Sequence, residues 1–387
     1  MIYQLLVLAG LVIFFINLLL NLFTLKRPSK KAGLPTDLPL VSVLIPARNE
    51  ENNIANCLAS VMQQDYPNFE VLVVDDNSTD RTYEIVSQIA EADPRVRLYS
   101  GKPLPADWAG KPFAGYQLAQ HARGDWFLFL DADTICESHM IRGTLEIAIK
   151  YQVALLSGFP RQKLAGLTQK IVLPVLFYFA QMAWFPLWLF HSSKKPMPTM
   201  IIGQFILFNR ADYWRIGGHE AVKSRIMEDV WFGLEMSKAG GRTLAVDLSK
   251  TLTTEMYGNL AVMTEGCMKW FYSVAALSPL ALVGFVCAAY IFFLAPFYWA
   301  YIDPVDSLMT SGQLTELSAV IAAQVLILLL MRVITDQYFR GSSISFIFHP
   351  LGVAFLILAV IIGASRRALG AGVAWKDRVY QGFTHIK

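Results

Sequence analysis

The chain has 387 residues, of which 55% are hydrophobic and only 16% are charged, and its mean hydropathy is +0.42. Because a soluble protein carries about 25% charged residues, this composition excludes an intrinsically disordered chain and argues against a purely soluble domain. Its 33 basic and 30 acidic residues leave a net charge of +3, too small a surplus to indicate nucleic-acid binding. We therefore expect a membrane protein with no nucleic-acid partner.

The N-terminus predicts a transmembrane anchor over residues 1–25. Residues 2–25 carry no charge, and at about 1.5 Å per residue they exceed the roughly 30 Å hydrocarbon thickness of a bilayer. Four basic residues follow directly: Lys26, Arg27, Lys30 and Lys31. The positive-inside rule then places the region after this anchor in the cytoplasm, so we expect a multi-pass protein of the inner cell membrane.

The C-terminal region, 273–387, contains three further apolar stretches, at about 274–302, 315–335 and 343–365. Four crossings in total would place the C-terminus outside, whereas the basic residues after the last stretch favour the inside. These residues are Arg366, Arg367, Lys376 and Arg378. A re-entrant or broken helix at His349-Pro350 would reconcile the two arguments, and the sequence leaves both open.

Residues 164–190 form an apolar segment inside the otherwise polar middle of the chain. Lys170, Pro174 and Pro186 interrupt it, so we interpret it as lying on the membrane surface. If it crossed the bilayer instead, the acidic motifs before and after it would be on opposite faces.

The region 38–272 is predicted to be an α/β domain. The β-branched stretch 41–46 and the stretch 70–75 indicate buried parallel strands with a helix between them, and 126–130 indicates a third strand. Acidic turns follow the second and third strands, and a polar turn follows the first. Parallel strands that are covered by crossover helices place their ligand at the carboxyl ends, so these turns mark the expected site.

Two pairs of carboxylates in this domain are candidates for chemistry. Asp131 and Asp133 stand at i and i+2 after the third strand, and such hard oxygen ligands suit Mg²⁺ or Mn²⁺. The alternative for this turn is helix or turn capping. Glu228 and Asp229 open a later helix, either as compensation of the helix dipole or as a base that deprotonates an acceptor hydroxyl.

Four motifs in this order resemble the membrane-associated inverting glycosyltransferases of family 2, which have a GT-A (Rossmann-like) fold. They are VSVLIPARNEE (41–51), VVDDNSTD (73–80), FLDADT (129–134) and MEDVWF (227–232). The stretch 104–117 and the basic Trp-containing tail 374–378 resemble lipid-modifying members. Those members include enzymes that glycosylate carotenoid acids and others that are associated with hopanoid pathways.

The resemblance implies roles for particular residues. The uridine pocket would be bordered by Pro46, Ala47, Arg48 and Glu50. Asp76 would hydrogen-bond uracil, and Lys111 would lie near the nucleotide. Asp131 would lie by the ribose and the metal, Asp133 would ligate the metal, and Asp229 would be the catalytic base. Such an enzyme would transfer a single hexose from a UDP-sugar to a membrane lipid with inversion.

The sequence also allows other enzyme classes and roles outside catalysis. A polyprenyl-phosphate sugar transferase shares the first motifs but needs no strong base, so the Glu228-Asp229 pair argues against it. Processive polysaccharide synthases carry a Gln-x-x-Arg-Trp motif, of which only Trp270 is kept here. Outside enzymes, the chain could be a membrane transporter or a scaffold with a degenerate transferase domain, but the intact carboxylates argue against degeneration.

Overall fold

The computed structural model describes residues 1–33, 37–192, 200–225, 227–257, 260–274, 279–311, 313–342, 344–371, 373–375 and 378–380. The described chain divides into two compact units. The first, here called the sheet unit, contains Leu25–Lys163 and Leu189–Met256, and the second, the helical unit, contains Met1–Thr24, Leu164–Trp188 and Tyr257–Gly382. The apolar segment and the residues just after 256 therefore group with the apolar helices, whereas the sequence-based boundaries assigned them to the α/β domain.

The sheet unit is built on an eight-stranded mixed sheet with the order β3-β2-β1-β4-β7-β6-β8-β5. Its strands are β1 (Val41–Ala47), β2 (Phe69–Asp75), β3 (Val96–Ser100), β4 (Trp126–Leu130), β5 (Thr134–Cys136), β6 (Leu155–Gln162), β7 (Phe205–Asn209) and β8 (Thr243–Thr254). The neighbours β3, β2, β1 and β4 run parallel, whereas β7 runs antiparallel to β4 and β6. The three strands expected from the sequence are confirmed.

Helices cover both faces of this sheet, which explains why β2 and β4 are buried along their whole length. They are α2 (Ile54–Met62), α3 (Thr82–Ala92), α4 (Gly110–His121), α5 (Met140–Lys150), α9 (Arg210–Arg215), α10 (Gly218–Ala221) and α11 (Glu228–Lys238). One core joins the first face to residues of α2, α3 and α5, and a second joins the other face to α4 and α11. Burial on both faces accounts for the continuous apolar sequence of these strands.

The helical unit contains four apolar helical segments within its described residues that are long enough to cross a membrane. They are α1 (Ile2–Thr24), Pro279–Met309, α15 (Glu316–Tyr338) and Ser345–Ala368. The second comprises α13 (Pro279–Ala288), a π-helical turn (Ala289–Leu294) and α14 (Ala295–Ser311), and the fourth a 3₁₀ turn (Ser345–Phe348) and α16 (His349–Ala368). The unit also contains α12 (Leu260–Val274) and a hairpin of β9 (Val373–Trp375) and β10 (Arg378–Tyr380). The expected apolar spans are confirmed by length and composition.

Two hydrogen bonds align α1 with α15 in parallel. The side chain of Gln324 donates to the backbone oxygen of Gln4 at 2.7 Å, and the hydroxyl of Tyr338 donates to the backbone oxygen of Leu22 at 2.9 Å. The His349-Pro350 step begins α16, because proline is tolerated in the first turn of a helix, where its missing N–H has no intrahelical partner. The step therefore does not break the last helix. Lys376, cited above in the charge argument, lies outside the described residues.

The apolar segment 164–190 folds into short helices that dock on the last turns of α1. It contains α6 (Leu167–Leu173), a π-helical turn (Pro174–Phe179), α7 (Ala180–Trp184) and α8 (Leu187–Ser192). The amide of Asn17 donates to the backbone oxygen of Ala183 at 2.9 Å, and its Oδ1 accepts the indole N–H of Trp188 at 2.9 Å. Asn17 thus pairs a carbonyl at the end of α7 in apolar surroundings.

The residues after α1 are held on the sheet unit by a buried carboxylate. Arg27 forms an ion pair with Asp247 in β8, whose side chain is fully buried. The backbone N–H of Asp247 also donates to the oxygen of Lys26 at 2.8 Å. Arg27 is one of the four basic residues whose charge indicated the orientation of the chain. Its charge is paired with Asp247 within the sheet unit.

Candidate active site

Three loops meet at the carboxyl edge of the parallel strands. Ala47 stands opposite Asp75 in the β1–β2 pair, and Leu44 stands opposite Phe129 in the β1–β4 pair. Asp131 follows β4 directly, and its backbone N–H donates to the oxygen of Gln204 at 3.2 Å. The convergence of these strand ends, which the sequence predicted, is present.

The loops after β1 and β2 are bonded to each other. The guanidinium of Arg48 donates to the backbone oxygen of Asp76 at 2.7 Å, and the N–H of Asp76 donates to the oxygen of Ala47 at 2.7 Å. Asn49 adopts a left-handed backbone conformation with φ of 52°, which asparagine tolerates, and its side chain accepts the N–H of Thr79 at 2.9 Å. This mutual bonding gives the predicted uridine-binding residues a rigid frame.

Two further predicted residues border this frame. Glu50 is partly buried, and its carboxylate accepts the amide of Asn53 at 2.8 Å, which orients it at the start of α2. Pro46 is the least buried residue of β1 and stands opposite Val74. Their assignment to the nucleotide stays a prediction.

Lys111, near the start of α4, lies within a group of carboxylates. Its Nζ is 2.6 Å from Oδ1 of Asp131 and 3.5 Å from Oε1 of Glu228, and it donates to the backbone oxygen of Gly203 at 3.2 Å. Burial by itself lowers the pKa of Lys111, but the negative charges, chiefly that of Asp131 and then that of Glu228, outweigh it and raise the pKa above its ordinary value. The lysine is therefore a permanent cation at this site.

Asp229 is fixed by two backbone donors. Its Oδ2 accepts the N–H of Gly203 at 3.0 Å, and its Oδ1 accepts the N–H of Val230 at 2.8 Å. A Cβ added at Gly203 would lie 3.1 Å from Oδ2 of Asp229 and 3.4 Å from Nζ of Lys111. Glycine at position 203 therefore permits the close approach of both charged groups.

Asp133 contacts a second group of polar side chains, at the ends of β6 and β8. Its Oδ1 accepts the hydroxyl of Thr254 at 3.4 Å, and that hydroxyl also accepts the amide of Gln204 at 3.2 Å. Gln162 donates in turn to the side-chain oxygen of Gln204 at 3.3 Å. Asp133 therefore stands beside a buried polar network that the sequence analysis did not identify.

The donor set fits a hard divalent cation that is shared with a ligand. Within the described ranges, no group of three or more His, Cys, Asp or Glu side chains is arranged to hold an ion by itself. Mg²⁺ characteristically uses one or two protein carboxylates and completes its octahedron with phosphate oxygens and water, and Asp131 and Asp133 can provide that number. The carboxylate of Asp131 is, however, engaged by Lys111, whereas the sequence analysis expected both aspartates to face the cation.

A buried histidine stands behind Lys111. His219 contacts the hydroxyl of Tyr213 through Nδ1 at 2.8 Å, and its ring is packed edge-on against Phe129 and Phe232. Burial, with a smaller contribution from the charge of Lys111, lowers the pKa of His219 to about 3. The ring is therefore neutral and supports the site by packing.

The structure thus brings three carboxylates together around the ammonium of Lys111. They belong to Asp131, Glu228 and Asp229. Sequence reasoning missed Gly203, Gln204, Thr254 and His219. A glycine two residues before an apolar strand was the one available signal for Gly203, because glycine has no Cβ and permits close approach of other groups to the backbone. The other three carry no motif, since their positions depend on the pairing of strands that are distant in sequence.

Comparisons with known proteins agree with this architecture. Residues 42–215 match the family model described as Glycosyl transferase family 2. A 4,4'-diaponeurosporenoate glycosyltransferase of Staphylococcus haemolyticus is 29% identical over 226 residues, which are 56% of this chain and 55% of that relative. An uncharacterized glycosyltransferase of Haemophilus influenzae is 30% identical over 122 residues, which are 32% of this chain and 47% of the relative. The chain spans about half the length of the curated relatives it matches.

A solved structure extends the likeness in fold. The mannosyltransferase PcManGT of Pyrobaculum calidifontis, in complex with GDP-Man and Mn²⁺, superposes with a TM-score of 0.53 at 18% identity, covering 95% of this chain and 99% of that one. The mixed sheet and the loops at its carboxyl edge define a GT-A domain. The family match over residues 42–215 and the similarity to the Staphylococcus haemolyticus relative agree with the resemblance carried by the four motifs.

Proposed function

We propose that the protein transfers a single hexose, with inversion, from a UDP-sugar to a lipid acceptor at the cytoplasmic face of the inner membrane. The observation that carries the proposal is the position of Asp229. Its carboxylate is held by two backbone N–H groups beside Lys111 and the loop that carries Asp131. A carboxylate that is fixed in this way can serve as a general base for a hydroxyl that comes within hydrogen-bond reach.

The residues of the site have distinct roles in this reaction. The acceptor oxygen attacks the anomeric carbon, the bond from that carbon to the diphosphate oxygen breaks, and the acceptor proton passes to Asp229. Asp131 and Asp133 would hold Mg²⁺ or Mn²⁺, which supplies neutralisation of the charge that grows on the departing diphosphate. Lys111 adds a fixed positive charge near that diphosphate, and the frame around Arg48 and Asp76 would hold the uridine.

Membrane attachment supports a lipid acceptor. The helical unit contains the four candidate spans together with the apolar segment 164–190, which docks on α1 one to two turns before that helix ends. An interfacial helix typically enters the headgroup boundary by about 5–10 Å, and seven residues of helix separate Asn17 from Thr24, about 10 Å. A segment at that depth is suited to an acceptor whose reactive group lies at the headgroup level.

Two related reactions are less well supported than transfer of a single hexose to a lipid. A polyprenyl-phosphate acceptor needs no base, so it leaves the fixed geometry of Asp229 without a purpose. Polymer synthesis is associated with the Gln-x-x-Arg-Trp motif, and Trp270, its one retained residue, stacks on Phe177 within the helical unit at a centroid distance of 6.3 Å. This contact gives Trp270 a packing role, and tryptophan is also enriched at membrane–water interfaces as an aromatic anchor.

The test is UDP release by the full chain in lipid nanodiscs, with a panel of UDP-hexoses, Mn²⁺ and a membrane lipid extract. We expect release with one donor, and a glycolipid that retains the label of that donor. Asp229→Asn should reduce turnover about 10²–10⁴-fold while it leaves UDP affinity nearly unchanged, because the base acts on the acceptor. Asp93→Asn, a matched change in a partly buried carboxylate paired with Arg95, should have no effect.

Two outcomes would contradict the proposal. Equal losses of turnover and of UDP affinity in Asp229→Asn would move this residue from catalysis to donor binding or folding. UDP release that depends on lipid but produces a phosphate-linked sugar would assign the protein to the polyprenyl-phosphate class instead.

A further inference from the structure

The ammonium of Lys111 lies among the carboxylates of Asp131, Glu228 and Asp229, and of these Asp131 would also hold the metal. It is 2.6 Å from Asp131 and 3.5 Å from Glu228, and the carboxylate of Asp229 contributes to the negative potential around it. Glu228 is buried, with only 4% of its surface exposed, so it depends on a nearby cation more than a surface carboxylate does. In the protein without donor, Lys111 therefore serves as the counter-ion of this group.

A lysine at this place opposes a divalent cation in two ways. It engages the Oδ1 of Asp131 that the cation would take, and it repels the cation across a few ångströms. At an effective dielectric constant of 20, two unit charges 4 Å apart interact by about 4 kcal/mol, and a divalent ion doubles the repulsion. The free site is therefore a poor metal site despite its carboxylates.

A nucleoside diphosphate changes this balance. It brings its own negative oxygens, which offer Lys111 an alternative partner and offer the metal additional ligands. The start of α4 is anchored, because the N–H of Ala109 donates to the oxygen of Lys223 at 2.7 Å. The lysine stem is flexible and 41% of the side chain is exposed, so its ammonium can move while the backbone stays in place.

We propose that Lys111 is an internal counter-ion that excludes the divalent metal from the free protein, so that the metal enters together with the nucleotide and not before it. This inference rests on the proposed function and concerns the order of binding at the same site. The lysine leaves Asp131 for the diphosphate in the same step in which the metal arrives.

The test is Mn²⁺ affinity, measured by electron paramagnetic resonance of free Mn²⁺, on the full detergent-solubilised chain with no turnover involved. In the wild type, we expect UDP to tighten Mn²⁺ binding about tenfold or more. Lys111→Gln should tighten Mn²⁺ binding without UDP by about the same factor, because the repelling charge is gone. Lys111→Arg keeps the charge and should bind Mn²⁺ without UDP as weakly as the wild type.

Lys223→Gln is the matched control. The Nζ of Lys223 lies 2.6 Å from Oδ2 of Asp107, which is in the loop that precedes α4. Both side chains of this pair are exposed. Its removal changes the net charge by the same amount and should leave both Mn²⁺ affinities unchanged. A general effect of charge would instead appear equally in both Gln variants and would overturn the specific role of Lys111.

The remaining outcomes separate the two proposals. If UDP tightens Mn²⁺ binding in the wild type but Lys111→Gln does not tighten it without UDP, the counter-ion role is wrong and the metal-dependent function stands. If the wild type binds no Mn²⁺ even with UDP, the metal-dependent function fails, and the counter-ion role fails with it. If Lys111→Gln does not fold, the rate of chemical acylation of Lys111 in the wild type replaces that measurement. An acylation rate that Mn²⁺ alone changes overturns the proposal. An acylation rate that changes only when Mn²⁺ and UDP are both present supports it.

Discussion

The Oδ1 of Asn21, in the N-terminal helix, accepts the backbone N–H of Trp188 at 2.9 Å, although the two residues are 167 positions apart. The amide of Asn21 also donates to the backbone oxygens of Met182 and Phe185, at 2.8 and 2.6 Å. Asn21 is fully buried. One side chain thus satisfies the backbone groups at the turn between α7 and α8, where apolar surroundings offer no water.

Replacing this side chain should therefore loosen the docked segment. Asn21→Leu removes the acceptor of the Trp188 N–H and one of two donors to the oxygens of Met182 and Phe185, which the amide of Asn17 also reaches at 3.2 Å. A buried group that stays unsatisfied costs about 1–3 kcal/mol. We expect a lower thermal midpoint in detergent and faster proteolysis within residues 182–190. Gln324→Leu, which removes a hydrogen bond between α15 and α1, should lower the midpoint without faster cleavage there. Equal cleavage of the two variants would show that Asn21 does not hold the segment.

The metal requirement has its own test. Asp133→Ala should abolish transfer without unfolding the protein, because this carboxylate would hold the metal, and the thermal midpoint checks that the variant is folded. Excess EDTA should abolish transfer by the wild type, and Mg²⁺ or Mn²⁺ should restore it. Full turnover in EDTA would remove the metal from the mechanism.

The ion pair between Arg27 and Asp247 should stabilise the sheet unit. Arg27→Ala leaves the buried Asp247 carboxylate without its cation, and we expect a loss of about 2–3 kcal/mol, since the arginine is partly exposed. Chemical unfolding measures this loss. Lys30→Ala, an equal change in charge nearby, should stay within about 0.5 kcal/mol of the wild type. Adding Asp247→Asn to Arg27→Ala should recover part of the loss; no recovery would mean that packing of the arginine stem dominates.

Stability should fall in acid because of His219. Its pKa is lowered to about 3 in the fold, against about 6.5 in the unfolded chain, so between these values the unfolded chain binds the extra proton. The stabilisation is complete above pH of about 6.5 and is lost as the pH falls toward 3, by about 1.4 kcal/mol per unit. His219→Gln does not titrate, and its thermal midpoint should vary less between pH 7 and about 5. Parallel profiles for the two proteins would exclude His219 as the source.

The orientation of the chain can be measured with single cysteines in a background that lacks the native ones. Ala92 and Ala211 are exposed and stand on either side of segment 164–190 in sequence. Ala92→Cys and Ala211→Cys should both be labelled by an impermeant reagent only from the cytoplasmic side, whereas Gln313→Cys, between α14 and α15, should be labelled from outside. Outside labelling of Ala211→Cys alone would show that the segment crosses and would separate Asp229 from Asp131.

Much of this protein was determined by local sequence. Apolar stretches long enough to cross a bilayer predicted α1 and the later apolar helices, because hydrophobic length is a property of consecutive residues. The strands at 41–46, 70–75 and 126–130 were recognisable for the same reason, since strands buried on both faces are apolar at every position. The four acidic and polar motifs lie directly at strand and helix ends, so their order alone indicated the family.

Only the tertiary structure decided what surrounds these motifs. The pairing of β7 with β4 brings Gly203 and Gln204 to Asp131, and the pairing of β8 with β5 brings Thr254 beside Asp133. The sequence predicted Lys111 only through resemblance, and nothing local showed that its ammonium holds Asp131 and Glu228 together. Such contacts join residues about 20 to 120 positions apart. They depend on which strands pair and in which register, and a pattern of consecutive residues does not encode that long-range choice.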